Sequence, residues 1–293
     1  MPPPILPQLR SKFRDNVGMT GDGADGAEQA GLGGQHLPLV IRRVGAVTTL
    51  VLNRPTQLNA IDRELALSLI AAVQTVASDK GCRCLVITGA GRAFCSGQSL
   101  GSKGEPLPTD IEGLIRERYR PLVLGLQQLP MPVVAAVNGP AVGAGLSLAL
   151  AADVRIASEN AWFSCAFAQI GLVPDAGATH YLTRYLGLGR ALHYAFTGER
   201  IHADQALALG LVTRLYAQEG FASETDRFAA ELAKGATRAL ALTKRALYSG
   251  SAASLEEQLD VEATLQQAAS MTDDFAEGLA AFREKRAPDF RGS

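Results

Sequence analysis

Apolar positions follow two rhythms along this chain. In the first two-thirds, apolar runs of strand length alternate with helical stripes, and from about residue 177 onward the 3.6-residue period takes over almost throughout. LVI (39–41) and VTTLVLN (47–53) are β-branched runs split by a glycine turn, which predicts paired strands. Leu65, Leu69, Val73 and Val76 share one stripe behind Asp62, which predicts an amphipathic helix with Asp62 as its cap. CLVIT (84–88) and PVVAAVNG (132–139) show no polar alternation, as expected of strands buried on both faces, and a helix ends near Leu129 between them. GPAVGAGLSLALAADVRIAS (139–158) reads as loop, short apolar helix and strand, and WFSCAF (162–167) as a further strand. Helices are predicted near 177–186, 188–196, 203–209, 221–234, 236–249, 254–271 and 274–286. The fold class is therefore α/β, with an all-α C-terminal region.

Composition divides the chain further. Residues 1–36 are Pro/Gly-rich with little apolar content, which predicts a disordered leader; residues 37–220 then form the core and 221–293 the helical region. The 293 residues are 47% hydrophobic and carry a net charge of −1 with scattered basic residues, so no nucleic-acid partner is expected. Cys82, Cys84, Cys95 and Cys165 lack a second pair or His pair at zinc spacing, and read as buried thiols rather than metal ligands. The longest apolar runs are too short to span a bilayer and the first residues lack a signal-peptide h-region, so the expectation is a cytoplasmic protein with no membrane partner.

Three stretches are candidates for chemistry. GAGRAFCSGQS (89–99) exposes backbone N–H groups after a buried strand, but fits neither dinucleotide nor phosphate-loop spacing, and on spacing alone an ordinary strand-to-helix turn explains it better. In NGPAVGAGLSLALAAD (138–153), Gly143, Ala144 and Gly145 precede a short helix, so free N–H groups and the positive helix end point together, a geometry suited to an oxyanion. GLSLA only weakly fits a nucleophile elbow: Ala149 replaces the last glycine, Ser147 falls inside the helix, and His36, His180, His193 and His202 offer no triad context. In GLVPDAGATH (171–180), Asp175 stands at a helix start behind Trp162, Phe163, Phe167, Ile170, Leu172 and Val173. It is either an ordinary cap or a carboxyl whose pKa desolvation has raised into the range of a general acid–base.

Taken together, LNRPTQLNAID (52–62), ITGAGRAFCSGQSL (87–100), PVVAAVNGPAVGAGLSLALAADVRIAS (132–158), GLVPDAGATHYLTRYLG (171–187), FTGERIHADQALALGLV (196–212) and FAEGLAAFREKRAPDF (275–290) resemble the crotonase family, also called the enoyl-CoA hydratase/isomerase family. The resemblance runs from about residue 39 to 291. It implies a spiral of ββα units with a C-terminal all-α region that builds homotrimers or dimers of trimers. It also implies an acyl-CoA thioester as substrate, with no cofactor beyond the CoA that the substrate carries. By the same resemblance, the backbone N–H groups of Gln98 and Ala144 form the oxyanion hole. CoA and the substrate are expected near Leu58, Asn59, Ala60, Phe94, Ser96, Gly97, Ser99, Leu100, Gly143 and Phe167, with Phe282 and Lys285 contributing from the C-terminal tail.

The departure from the family pattern concerns catalysis. Hydratases of the family use two glutamates, and the matching positions here are Ser147 and Phe167. Adding water needs one group to activate it and another to manage the α-carbon proton. Asp175, just after G-x-x-P, instead matches the family's isomerase branch, where one carboxylate suffices. Hydration of a 2-enoyl-CoA and a non-catalytic acyl-CoA-binding role remain as alternatives. A nucleophilic Asp175, as in aromatic acyl-CoA dehalogenation, lacks its tryptophan and histidine partners, because Phe167 holds the tryptophan position and 111–130 contains no His.

Overall fold

The computed structural model describes residues 37–101 and 109–293, so the expected leader at 1–36 lies outside the described residues. Strands β1 (Leu39–Val44) and β2 (Val47–Leu52) form an antiparallel hairpin, and α1 (Arg63–Ser78) follows behind the Asp62 cap, whose carboxylate accepts from Leu65 N–H at 2.9 Å. Then come β3 (Cys84–Gly89), α2 (Ile111–Leu114), a π-helical turn (Ile115–Tyr119) and α3 (Arg120–Gln128). The next elements are β4 (Val133–Val137), β5 (Ala141–Val142), α4 (Ala144–Leu150), β6 (Val154–Ser158) and β7 (Trp162–Ser164). Beyond a 3-10 turn (Ala166–Ile170) the chain forms α5 (Ala178–Leu186), α6 (Leu188–Thr197), β8 (Ile201–His202), α7 (Ala203–Ala208) and β9 (Arg214–Tyr216). Four helices close it: α8 (Phe221–Lys234), α9 (Thr237–Gly250), α10 (Leu255–Ser270) and α11 (Asp273–Glu284).

The main sheet has the order β1-β2-β3-β4-β6-β9, parallel from β2 onward. Its central strands are covered on both faces, which explains their unbroken apolar runs. Leu85, Ile87, Val133, Ala135 and Val137 point into the large core with Leu65, Leu69 and Leu126. Cys84, Val86, Val134 and Ala136 meet Phe221, Phe228, Ala229 and Ala233 of α8 on the other face. Each large aliphatic side chain buried this way contributes about 1.5–3 kcal/mol. All four cysteines are buried and free.

Two expectations need correction. The strand expected over 162–167 ends at Ser164, because its partner β5 is two residues long and the ladder runs out; Phe167 therefore sits on the 3-10 turn. The region after 177 is not wholly helical, since β8 and β9 interrupt it. Strands of two and three residues are too short to show a period, and only their sheet partners call them into being.

The small second sheet, β5-β7-β8, positions the site. Cys95 bridges to Ala141 and Gln98 bridges to Ile61, so the 94–100 loop is stitched between the strand preceding α4 and the segment preceding α1. Behind it, Asp153 accepts from Val133 N–H at 2.8 Å, Lys244 Nζ at 2.9 Å and the Tyr248 hydroxyl at 3.1 Å, tying α9 to the main sheet. Asp153 is thus a structural carboxylate.

Candidate active site

The 94–100 loop and the start of α4 are in close main-chain contact. Gly97 has φ +100°, and a Cβ built there lies 2.8 Å from Val142 O and 3.3 Å from Ala144 N. A Cβ at Gly145 lies 2.2 Å from Cys95 O, so glycine alone allows this approach at both points. The main chain between them is held by Val142 N–H to Cys95 O at 2.9 Å and Gly143 N–H to Ser164 O at 3.0 Å. Neither Gln98 N–H nor Ala144 N–H has a protein acceptor among the described residues. Backbone packing therefore sets Gly97, the residue before Gln98, against the main chain of Ala144.

Asp175 is not a helix cap. The N-cap of α5 is Gly177 at φ +88°, and Ala176 before it has φ +49°, so two left-handed residues separate Asp175 from the helix. A left-handed alanine costs roughly 1–2 kcal/mol, which the surroundings must offset. The turn is anchored by Asp175 O, which accepts from Ala178 N–H at 2.9 Å and from Ser147 Oγ at 3.0 Å. Ser147 lies one helical turn after Ala144, so this bond joins the Asp175 turn to the helix that starts at Ala144. Asp175 Oδ1 is buried and has no hydrogen-bond partner among the described residues. Desolvation raises the carboxyl from an ordinary 3.8 to about 6. The same carboxylate adds to the burial that pushes the Cys165 thiol up to about 11, so that thiol stays protonated.

A raised acid pKa lowers stability once the group ionises. The folded state holds this proton more tightly than the unfolded chain, so the penalty is absent below about pH 4, grows between 4 and 6, and is complete above. Two pH units correspond to about 3 kcal/mol, which partial solvation of the site reduces to about 1–2. Asp175→Asn is therefore expected to melt higher than wild type at pH 7.5 and to lose that advantage near pH 4. Equal melting temperatures for the two proteins at pH 7.5 would contradict the desolvated carboxylate.

Ser147 is wholly buried and its hydroxyl is turned to Asp175 O and, at 3.2 Å, to Gly143 O, an arrangement that holds main chain and presents no nucleophile. Phe167 closes over Gly143, its Cζ 4.0 Å from a Cβ built there. Leu58 and Asn59 are both left-handed, at φ +52° and +57°. Asn59 is buried, donating to Ala90 O at 2.9 Å and Ala93 O at 2.8 Å and accepting from Arg54 N–H at 2.9 Å, so its side chain shapes the 89–94 loop. Phe94 is likewise wholly buried in the core. Leu58, Ala60, Ser96 and Ser99 are part-exposed, Gly97 is buried and Leu100 is exposed. Phe282, 82% exposed, and Lys285, the left-handed C-cap of α11, are not among the residues these contacts bring together. Sequence reasoning missed Tyr119, whose hydroxyl donates to Gln98 Oε1 at 2.7 Å; a lone tyrosine in a segment of helical period carries no signal of this.

Among the described residues no helix is long and apolar enough to cross a membrane, and no group of three His, Cys, Asp or Glu could hold a metal ion. A family model described as enoyl-CoA hydratase/isomerase matches residues 42–293. A "probable enoyl-CoA hydratase" of Rhodobacter capsulatus is 42% identical over 246 residues, covering 84% of this chain and 95% of that protein. A 1,2-epoxyphenylacetyl-CoA isomerase of Escherichia coli is 41% identical over 249 residues, with the same 84% and 95% coverage. Among solved structures, an enoyl-CoA hydratase of Bacillus anthracis superposes with a TM-score of 0.83 at 31% identity, covering 87% of this chain and 100% of that one.

Proposed function

The chain belongs to the enoyl-CoA hydratase/isomerase family, whose members act on acyl-CoA thioesters, and from that premise we propose that it is an isomerase working through Asp175. Its substrate on this reading is an enoyl-CoA, or a phenylacetyl-derived CoA ester whose epoxide is opened. The observation that carries the reading is a half-buried carboxyl whose buried Oδ1 has no hydrogen-bond partner among the described residues and whose pKa is raised to about 6, in a site where the hydratase glutamates are replaced by Ser147 and Phe167.

The chemistry balances with one carboxylate. Asp175 removes a proton from C2 of a 3-enoyl-CoA; the C–H electron pair forms the C1–C2 double bond and the carbonyl π pair moves onto the thioester oxygen, leaving a dienolate. Its thioester oxygen is held by the Gln98 and Ala144 N–H groups. The protonated Asp175 then returns the proton at C4 and the double bond settles between C2 and C3. A carboxyl near pKa 6 suits this cycle, because it must take the proton and also give it back. The exposed Leu247, Leu255, Leu259 and Phe275 on α9, α10 and α11 favour self-association, on this reading as a homotrimer or dimer of trimers, in which further copies would cover them.

A panel of 3-enoyl-, 2-enoyl- and epoxyphenylacetyl-CoA tests the reading. Interconversion of the enoyl esters, or consumption of the epoxide, is expected, and hydration of crotonyl-CoA at ordinary enzyme rates would replace isomerisation by hydration. The pH profile gives a second check. kcat/KM for isomerisation should fall tenfold per pH unit below an apparent pKa of about 6 and be level above it. An acid limb near 4 would mean that the working base is not this desolvated carboxylate.

A further inference from the structure

Gln98 is held at both its main chain and its side chain. Ile61 N–H donates to Gly97 O at 2.7 Å and Ser99 N–H to Ile61 O at 2.8 Å, so the Ile61 bridge flanks Gln98 on either side. Its amide Nε2 donates to Ser99 O at 3.1 Å, and its Oε1 accepts from the Tyr119 hydroxyl at 2.7 Å. Tyr119 is 2% exposed and ends the π-helical turn that interrupts an otherwise continuous helix over 111–128. A π turn forfeits regular helix geometry and recurs where a side chain must be aimed differently from what the α period would give. A buried phenol needs a hydrogen-bond partner, and the Gln98 amide supplies it.

We propose that Tyr119 is a positioning residue of the oxyanion hole: its hydroxyl, acting through the Gln98 side-chain amide, sets the direction of the Gln98 main-chain N–H. This rests on the reading of that N–H as an oxyanion donor. Side chain and N–H share one Cα, so pinning the amide restricts the rotations that would swing the N–H away. A donor stabilises developing charge only when it is already aimed at the enolate oxygen, and one that must reorient gives up part of that benefit. Burial and the neighbouring Asp175 carboxylate both push the Tyr119 pKa up, so it stays a neutral donor and adds no limb of its own to the pH profile.

The test is a double-mutant cycle on the full chain with Tyr119→Phe, Gln98→Met and the pair combined. Both single substitutions nearly preserve volume and break the same hydrogen bond from opposite ends. Turnover of a 3-enoyl-CoA is measured together with the infrared carbonyl stretch of bound ¹³C-labelled hexanoyl-CoA, a saturated thioester that cannot isomerise. Each single variant should lower kcat about tenfold, a barrier increase of about 1.4 kcal/mol, with KM nearly unchanged and the acid limb in place. The double variant should be no slower than either single one, and the bound carbonyl stretch should move back toward its free value in all three. An unmoved carbonyl stretch in the variants, or additive losses, overturns the proposal even if melting temperatures drop. If wild type itself fails to polarise the carbonyl, the assignment of the hole falls first, so the two failures are distinguishable. Should Tyr119→Phe not fold, Gln98→Met decides by the same carbonyl measurement.

Discussion

Asp175→Asn is expected to lose about 10³-fold or more of isomerase turnover while still binding acyl-CoA, within the 10²–10⁴ range that general acid–base groups contribute. The upper part of that range applies because in the proposed cycle the same carboxyl performs both proton transfers, and the described residues around it offer no substitute. Ser147 is committed to main-chain acceptors, Phe167 is apolar, and Cys165 is held protonated by burial and by Asp175 itself. The asparagine is nearly isosteric and should lose chemistry without losing structure, which separates the effect from misfolding. Turnover measured with a 3-enoyl-CoA, beside acyl-CoA binding by calorimetry, checks both halves. Isomerisation within tenfold of wild type would remove Asp175 from the mechanism.

Gly97→Ala should be nearly as damaging, by a different route. The added Cβ would sit 2.8 Å from Val142 O and 3.3 Å from Ala144 N, and the residue would have to keep φ at +100°. Val142 is hydrogen-bonded to Cys95 and paired in the small sheet with Ser164, so the main chain around it has little room to give. The strain is relieved by moving the 94–100 loop and α4 apart, which separates the Gln98 and Ala144 donors. Misplacing one such donor costs about 10²–10³ in kcat, with a loss of stability beside it. Ala144→Gly keeps its main-chain N–H and is expected to be far milder. If Gly97→Ala turns over at the wild-type rate, the two N–H groups do not act as a pair.

Much of this architecture is legible in the chain before it folds. The apolar runs 84–88 and 132–139 can only be satisfied by cover on both faces, and β3 and β4 have it because sandwiched strands carry no polar alternation. The Asp62 cap and its stripe are local, each group meeting neighbours three or four positions away, so spacing alone predicts them. Strands β8 and β9 escape such reading, because a strand of two or three residues exists only through partners distant in the chain.

The same division runs through the site. Sequence by itself placed a carboxylate after G-x-x-P, glycines at 97, 143 and 145, and neither hydratase glutamate, because residue types and their spacing are one-dimensional facts. It left Asp175 balanced between cap and acid–base, since both fit a helix start. Tertiary structure removed the cap reading: Ala176 and Gly177 turn left-handed, Gly177 takes the cap, and Ser147 anchors the turn through Asp175 O. Desolvation of the carboxyl, the approach of Gly97 to Ala144 and the Tyr119–Gln98 bond belong to the fold alone. Each depends on segments tens of residues apart being packed at van der Waals distance, and a pKa or a hydrogen bond responds to that distance rather than to position in the chain.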